Sequence, residues 1–275
     1  MFTNSSKLRI KIQINFRQIL CSVLITGTFI GCTSQREIKH LAIQEEFKPY
    51  ANKPEQVGKL IYIGDVYPLG LINAEQAFTY ERRVKEIEGG LLATHITRDA
   101  GRNIIVVQIA KYSSNYELKE FESIHKQTGI TAKMKIEGNK IQYIVKDSFG
   151  TLSTSEEEIL EPIAVGPTLF GMISSHWDEL EKGSEFILRF AVAEEKQTYR
   201  FSVKKILSNK TIARFEMKAT NPIIGLFISP FIFEYDTEKR TILTYKGRVP
   251  PMRTIDGKLQ ALDAKVFYTY FSSYR

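Results

Sequence analysis

The sequence predicts a mainly β protein of the α+β class, built as a curved antiparallel sheet or open half-barrel with one or two packed helices. Two observations support this prediction. From about Ala74 onward, apolar and polar residues alternate with a period of two, which is typical of strands with one buried face. Glycine-containing turns separate the alternating runs, and one segment near Gly166 has the helical period instead.

The clearest predicted hairpin surrounds Gly138-Asn139. Both residues tolerate the positive φ angles that two-residue hairpin turns require. Apolar residues occupy alternate positions on both sides of this pair: Ile130, Ala132, Met134 and Ile136 before it, and Ile141, Tyr143 and Val145 after it. Further alternating runs predict strands at residues 78–87, 91–98, 103–112, 186–192, 199–206, 211–218, 231–235, 241–246 and 266–271.

Residues 166–182 predict a helix. Pro167 suits the first helical position and Gly183 suits the position just after the last turn. One face of this helix is apolar and is expected to pack on the sheet, with the only tryptophan in the core: Leu169, Phe170, Ile173, Trp177 and Leu180. A second, weaker helix is expected to begin near Ser153, because Glu156 to Glu158 would suit the positive end of a helix dipole.

The N-terminus has the layout of a secretory signal, which we assign to residues 1–31. Four basic residues precede an apolar run, residues 19–30, that is too short to span a bilayer. The segment Phe29-Ile30-Gly31-Cys32 resembles the bacterial lipobox, although Phe29 replaces the usual Leu and Ile30 is bulkier than the usual small residue. The resemblance implies cleavage by signal peptidase II before Cys32 and attachment of a diacylglycerol to its sulfur; the alternatives are a plain signal anchor or an ordinary signal cleavage.

Cysteine and charge counts are consistent with that interpretation. The only other cysteine, Cys21, lies within the predicted signal, so the mature form would keep one cysteine, whose sulfur carries the lipid, and no disulfide. Acyl chains on Cys32 would hold the protein to a membrane. Without residues 1–31 the chain has 34 basic and 31 acidic residues. This balance, with no nucleic-acid-binding motif, gives no indication of a nucleic-acid partner.

We therefore expect a lipidated Cys and tether at residues 32–59 and a single antiparallel β-rich domain at residues 60–275. Residues 33–59 contain scattered charges, two prolines and no sustained period. Thr33 follows the cysteine where an Asp would favour inner-membrane retention in the enterobacterial pathway. By that analogy the lipoprotein is expected in the cell envelope, at the outer membrane facing the periplasm.

The order of elements resembles uncharacterised exported bacterial families that are grouped structurally with the outer-membrane lipoprotein carriers. The resemblance covers about residues 74–270 and rests on a meander followed by a helix, Trp177 to Gly183, and on the pattern Tyr-Asp-x4-Thr-x-Leu-x-Tyr-x-Gly that begins at Tyr235. It implies a sheet wrapped around an apolar concave face, which holds acyl chains in the carriers. These families provide no catalytic residue to match.

The search for catalytic or cofactor chemistry gives no candidate. The four histidines, His40, His95, His125 and His176, have no second histidine at a ligand spacing, so we expect no metal site and no cofactor. His176 with Glu179 lacks further ligands. The mixed charges of residues 81–86 predict a solvated strand face. We therefore expect that the protein is not an enzyme.

The candidate ligand or contact loop is an uncharged stretch that runs from Ile223 to Phe233. Its residues of interest are Ile223, Ile224, Leu226, Phe227, Ile228 and Phe231. Length and Pro230 argue against a transmembrane helix, and a single strand could not close a barrel. Three interpretations remain: ordinary core, the rim of a cavity for a lipid-like ligand, or a surface that contacts a membrane or partner.

These interpretations lead to two hypotheses for a lipid-anchored, non-enzymatic envelope protein. The first is a module that binds or carries an amphiphilic or apolar ligand. The second is a structural or protein-interaction module of an envelope assembly, whose protein partners the sequence does not identify. A hydrolase is a third and more distant alternative. A large apolar hollow would favour the first hypothesis, and a filled core with an exposed apolar patch would favour the second.

Overall fold

The computed structural model describes residues 48–70 and 75–272, all of which belong to one compact unit, Gln44–Arg275. The chain is mainly β, with one open 15-stranded sheet and few helices. The strands are β1 (Lys59–Pro68), β2 (Phe78–Ile87), β3 (Gly90–Asp99), β4 (Ile104–Tyr112), β5 (Leu118–His125), β6 (Ile130–Glu137), β7 (Lys140–Lys146), β8 (Leu152–Glu158), β9 (Ile163–Ala164), β10 (Phe186–Val192), β11 (Gln197–Ser208), β12 (Ile212–Ala219), β13 (Phe231–Asp236), β14 (Ile242–Ile255) and β15 (Lys258–Tyr270). The helices are α1 (Lys48–Asn52), α2 (Gly166–Ser175), α3 (Trp177–Glu181) and α4 (Pro222–Gly225), with 3₁₀ turns at Pro54–Gln56 and Ala193–Glu195.

The sheet order is β8-β7-β6-β5-β4-β3-β2-β1-β15-β14-β13-β12-β11-β10-β9. Every neighbouring pair is antiparallel except β9 and β10, which are parallel and are linked through α2 and α3. The sheet is thus two meanders, β1–β8 and β10–β15, that join where β1 pairs with β15, and the short β9 adds a parallel strand beside β10. Gly64 of β1 faces Tyr268 of β15, and the missing side chain leaves room for the tyrosine ring.

Side chains link the two halves of this open sheet. Glu157 on edge strand β8 accepts hydrogen bonds from the backbone N and Oγ1 of Thr198 on β11, at 3.0 and 2.5 Å. Arg189 of β10 lies 3.4 Å from the same carboxylate. On the far side, His125 Nε2 donates to the Pro250 carbonyl at 3.0 Å, which joins β5 to β14. The sheet therefore curves until its two halves face each other.

The space between the halves is filled. Helices α2 and α3 pack against β10–β15, and Trp177 makes edge contacts with Phe215 and Tyr235 at 5.2 and 5.8 Å. Ala191 and Ala193, at the tip of the β10–β11 hairpin, pack with a second cluster that β1–β7 supply. Phe170 and Tyr116 are partly buried and contact both clusters. Aromatic and aliphatic side chains therefore occupy the interior where an acyl-chain cavity was envisaged.

The folded region begins before the predicted end of the tether. Helix α1 and the turn Pro54–Gln56 precede β1, and Val57 is buried on the outer face of the sheet against Leu92, Val107 and Ile109. Thr94 Oγ1 donates to the Pro54 carbonyl at 3.4 Å. Residues 48–58 therefore belong to the domain, because they cover an apolar strip of β3 and β4 that would otherwise face water.

Most predicted elements are present. The hairpin at Gly138-Asn139 pairs Glu137 with Lys140, with Gly138 at φ +60°. The predicted helix at 166–182 is two helices that meet at His176, and Gly183 follows them with φ +88°. The prediction of a helix near Ser153 is wrong, because residues 152–158 pair with β7 as strand β8. Strands β1, β5 and β9 were not among the predicted runs.

Candidate functional site

The candidate loop from the sequence connects β12 to β13, and we define the apolar loop as residues 222–230. Asn221 caps its short helix α4, since its Oδ1 accepts from the backbone N of Ile223 at 2.9 Å. Pro222 occupies the start of the helix, where no amide donor is needed. Pro230 precedes β13 and ends the loop. The Asn221 cap and the two prolines therefore set the start and the end of an apolar turn that lies outside the sheet.

The core interpretation of this stretch is wrong for most of it. Ile223 is 66% exposed, Leu226 81% and Phe227 43%, so these three side chains project into solvent. Ile224 and Ile228 are partly buried, and Ile228 packs against the β10–β15 core. Phe231 alone is fully part of the core, as the first residue of β13. The six candidate residues therefore divide between a projecting tip and its buried support.

A pocket of about 500 Å³ lies at the base of the apolar loop. Ser229 and Pro230 of the loop form one side, and Leu69 and Gly70 after β1 also line it. The floor is the outer face of β12–β15, where these residues alternate with core residues along their strands: Glu216, Ile232, Lys246 and Asp263. Arg253 lines the pocket from the part of β14 that follows its register shift. The pocket is open to solvent, so it is a surface depression and not an enclosed cavity.

The two acids of this pocket are already paired with cations outside it. Glu216 bonds Lys218 at 2.7 Å, and Asp263 bonds Arg248 at 2.7 Å. The two pocket cations, Lys246 and Arg253, make no ion pair with the described residues. The Nε atom of Arg253 is buried and has no hydrogen-bond partner in this part of the chain. The pocket thus has basic side chains available to an anion.

A second polar group lies inside the sheet and was missed in the sequence. Arg82 of β2 is 9% exposed, so the prediction of a solvated face for residues 81–86 is wrong at this position. Its guanidinium donates to the Pro167 carbonyl, to Tyr112 Oη at 2.9 Å and to His95 Nε2 at 2.8 Å. No carboxylate bonds Arg82 within residues 48–70 and 75–272. The sequence did contain a signal for this burial, because Arg82 shares one face of the strand with Phe78, Tyr80 and Val84.

The electrostatics of this interior group follow from burial of the arginine. Burial, together with the nearby Arg82 charge, holds the pKa of His95 well below its ordinary value. His95 is therefore neutral and accepts at Nε2, where Tyr62 Oη also lies at 3.3 Å. Burial raises the pKa of Tyr62 to about 12 despite the opposing effect of Arg82. The arrangement attaches the start of α2 to the sheet through the Pro167 carbonyl.

The remaining sequence-named residues do not form a site together. Cys32 and His40 lie outside the described residues. His176 stacks on Phe186 at 3.8 Å, and its Nδ1 lies 2.9 Å from the Met172 carbonyl. Groups of three or more His, Cys, Asp or Glu side chains able to hold a metal ion are absent from the described part of the chain. No helix in that part combines the length and the apolar character that crossing a membrane requires.

Comparisons with known proteins give a distant structural likeness. No family model matches the sequence, and no curated protein matches it. Among solved structures, the chain is similar to a β-barrel-like protein of a domain of unknown function, DUF1849, from Brucella abortus. The two share 13% identity and a TM-score of 0.46 over 78% of this chain and 100% of the other. The description of that protein assigns it no activity.

Proposed function

We propose that the protein is a lipid-anchored, non-enzymatic component of the cell envelope whose domain contacts a second envelope component through the apolar loop. The observation that supports this proposal is the exposure of Ile223, Leu226 and Phe227 on a domain with a filled interior. A group of neighbouring exposed apolar side chains is typical of a contact site. The proposal corresponds to the interaction-module hypothesis, and the exposed loop favours it over an internal carrier.

The cost of leaving these side chains in water supports a contact role. Burying a Leu, Ile or Phe side chain fully contributes roughly 2 kcal/mol. Weighted by their exposed fractions, the three side chains would contribute about 4 kcal/mol to a contact that covered them. Membrane attachment through Cys32 would keep the domain close to its target and lower the affinity that the contact needs.

The predicted anchor limits where the contact can occur. Residues 33–47 separate Cys32 from the first described residue, Lys48, and a chain of that length reaches at most about 50 Å. The domain would therefore stay within that distance of the membrane that holds the acyl chains. By the analogy drawn for Thr33, that membrane is the outer membrane and the domain faces the periplasm.

Binding of an amphiphile is the second candidate function. The pocket of about 500 Å³ beside the apolar loop favours it, because an apolar surface and basic side chains adjoin each other there. Such a ligand would bind on the outer face of the sheet. The helices α2 and α3 and the aromatic rings around Trp177 fill the interior, which argues against an enclosed acyl chain.

Photo-cross-linking in the native envelope tests the proposed function. A photoreactive phenylalanine analogue would replace Phe227 in the full-length chain, with the same analogue at Phe149 as the control. Phe149 is also an exposed ring, 92% accessible, but it lies in the β7–β8 turn. We expect cross-linked products, to lipid or to protein, from position 227 and not from position 149. Equal or absent products at both positions would reject the loop as a contact site.

A further inference from the structure

A lysine beside the apolar loop lies opposite a second lysine in the sheet, which is an unfavourable position for like charges. Lys246 of β14 lies directly opposite Lys265 of β15 in the sheet register. Like charges in opposite positions of an antiparallel pair destabilise the pairing. Lys265 turns its ammonium group over the Phe267 ring at 4.6 Å, whereas no described residue bonds Lys246. An anion bound beside Lys246 would relieve this repulsion.

Arg253 supplies a second, independent observation. This residue is partly buried on β14, and its Nε donor is shielded from solvent without a hydrogen-bond partner among the described residues. A buried unsatisfied donor of a charged group costs about 1–3 kcal/mol or more, so native structures usually provide a partner. Arg253 and Lys246 line the same pocket. A guanidinium and an ammonium together suit a phosphate group, since arginine binds it in a bidentate manner and lysine as a point charge.

The acids of the pocket do not remove this preference for an anion. Glu216 and Asp263 each contact a cation that lies outside the lining, Lys218 and Arg248 respectively. The negative charges of Glu216 and Asp263 are therefore largely neutralised by these ion pairs. The two basic side chains thus remain available in the pocket, beside Ser229 of the loop and Gly70.

The apolar loop distinguishes between the sources of such a phosphate. Ser229 and Pro230 form both the end of the loop and the side of the pocket, so the projecting apolar tip and the basic pocket adjoin. Apolar side chains beside basic ones are the arrangement by which interfacial segments bind anionic membranes. A free phosphate would use the pocket but would leave Ile223, Leu226 and Phe227 uncovered.

We propose that the envelope component contacted by the apolar loop is an anionic phospholipid surface, with Leu226 and Phe227 inserted among the lipids and a headgroup phosphate held by Arg253 and Lys246. This inference rests on the proposed function and names its target. It makes the pocket a headgroup site and the loop a membrane-insertion element. The domain would then touch a lipid surface at two points, the acylated Cys32 and the loop.

Vesicle quenching of the full-length lipidated chain tests this inference. Phe227→Trp places a fluorophore at the loop tip, while the native Trp177 is 4% exposed and serves as a shielded internal background. The chain is reconstituted into vesicles that contain brominated lipid with phosphatidylcholine alone or with added phosphatidylglycerol. We expect bromine quenching and a blue shift of the emission from the introduced indole that depend on phosphatidylglycerol, and no such change for Phe149→Trp.

Charge variants in the Phe227→Trp background test the headgroup site. Arg253→Gln and Lys246→Gln should each reduce the inserted population about fivefold, which corresponds to the ~1 kcal/mol that one basic side chain gains at an anionic surface. Lys204→Gln removes one charge from an exposed side chain of β11 and should leave quenching unchanged. Inorganic phosphate at millimolar concentration should not reverse the quenching.

Three results would overturn the inference. Equal quenching in phosphatidylcholine alone would show that insertion does not need an anionic lipid. An equal loss of quenching with Lys204→Gln would show that only the net charge of the domain matters, and not a headgroup site at Arg253 and Lys246. Absent quenching under all conditions would reject insertion. If absent quenching accompanied a protein cross-link at position 227, the proposed contact function would stand and only the lipid target would be wrong.

Discussion

Replacing Gly171 by alanine should reverse the usual effect of that substitution in a helix. In an open helical position Gly→Ala stabilises by about 1 kcal/mol. At Gly171, in α2, an added Cβ would lie 1.9 Å from Cε1 of Tyr116, far inside van der Waals contact. The Tyr116 ring stacks on Tyr112 with centroids 5.6 Å apart, and its backbone has φ +63°, so it has little freedom to move.

The expected magnitude follows from two opposing terms. Overpacking a filled core costs about 1–3 kcal/mol, and the helix preference of alanine returns about 1 kcal/mol. We therefore expect Gly171→Ala to lower the free energy of unfolding by about 1–2 kcal/mol. Gly225→Ala is the matched control, because it lies in α4 with no atom within 4 Å of an added Cβ, and it should be neutral or stabilising.

Urea unfolding followed by the fluorescence of Trp177 measures both variants, since this is the only tryptophan of the chain. A double-mutant cycle with Tyr116→Ala adds a direct test of the cause. In the Tyr116→Ala background, Gly171→Ala should lose its cost because the clashing ring is gone. Equal stabilisation by Gly171→Ala and Gly225→Ala, or a cost that persists without the Tyr116 ring, would refute the reasoning.

Three further predictions concern charge, sheet closure and the anchor. Below about pH 6.5 the unfolded chain binds a proton at His95 while the folded chain does not. The free energy of unfolding should therefore fall by about 1.4 kcal/mol for each unit by which the pH is lowered below about 6.5. His95→Gln should remove this slope in denaturation measured from pH 5 to 7.5; unchanged slopes would argue against a neutral His95. Glu157→Gln should lower the free energy of unfolding by about 2 kcal/mol and speed amide exchange at Thr198, because it weakens charge-assisted bonds between β8 and β11. Glu156→Gln, on the exposed side of the same strand, should have little effect, and equal effects of the two would contradict a specific link. Cys32→Ser should abolish acyl labelling and release the protein from membranes; continued attachment would count against the lipid anchor.

Most of the strands were predictable from sequence because their signal is local. In β6 and β7, for example, Ala132, Met134, Ile141 and Tyr143 alternate with polar residues, and Gly138 marks the turn between them. This information is contained within a single hairpin, so no knowledge of the remaining chain is needed. The antiparallel class, the helix near Gly166 and the core role of Trp177 follow from the same kind of pattern.

Features that depend on distant partners were not predictable in this way. Glu156 to Glu158 fit the first turn of a helix as well as an edge strand, and only pairing with β7 decides between them. Arg82 is charged and lies among charged neighbours, yet Pro167 and Tyr112 from other elements complete its buried environment. The pocket beside the apolar loop is built by β12–β15 and residues 69–70, so its basic character is invisible to any short stretch of sequence.

The pairing of β1 with β15 has a consequence for folding kinetics. Every other neighbouring pair in the sheet joins consecutive strands, whereas this ladder brings together Tyr62 and Tyr270, and Phe271 N donates to the Ile61 carbonyl at 2.9 Å. The two meanders can form from local contacts, but their union requires closure of a loop of about 200 residues, which is entropically slow. A circular permutant that linked the two ends here and opened the chain at residues 159–162 would make every neighbouring pair of strands in the sheet consecutive in the chain. In that order the slowest contact of the natural chain would become a local hairpin.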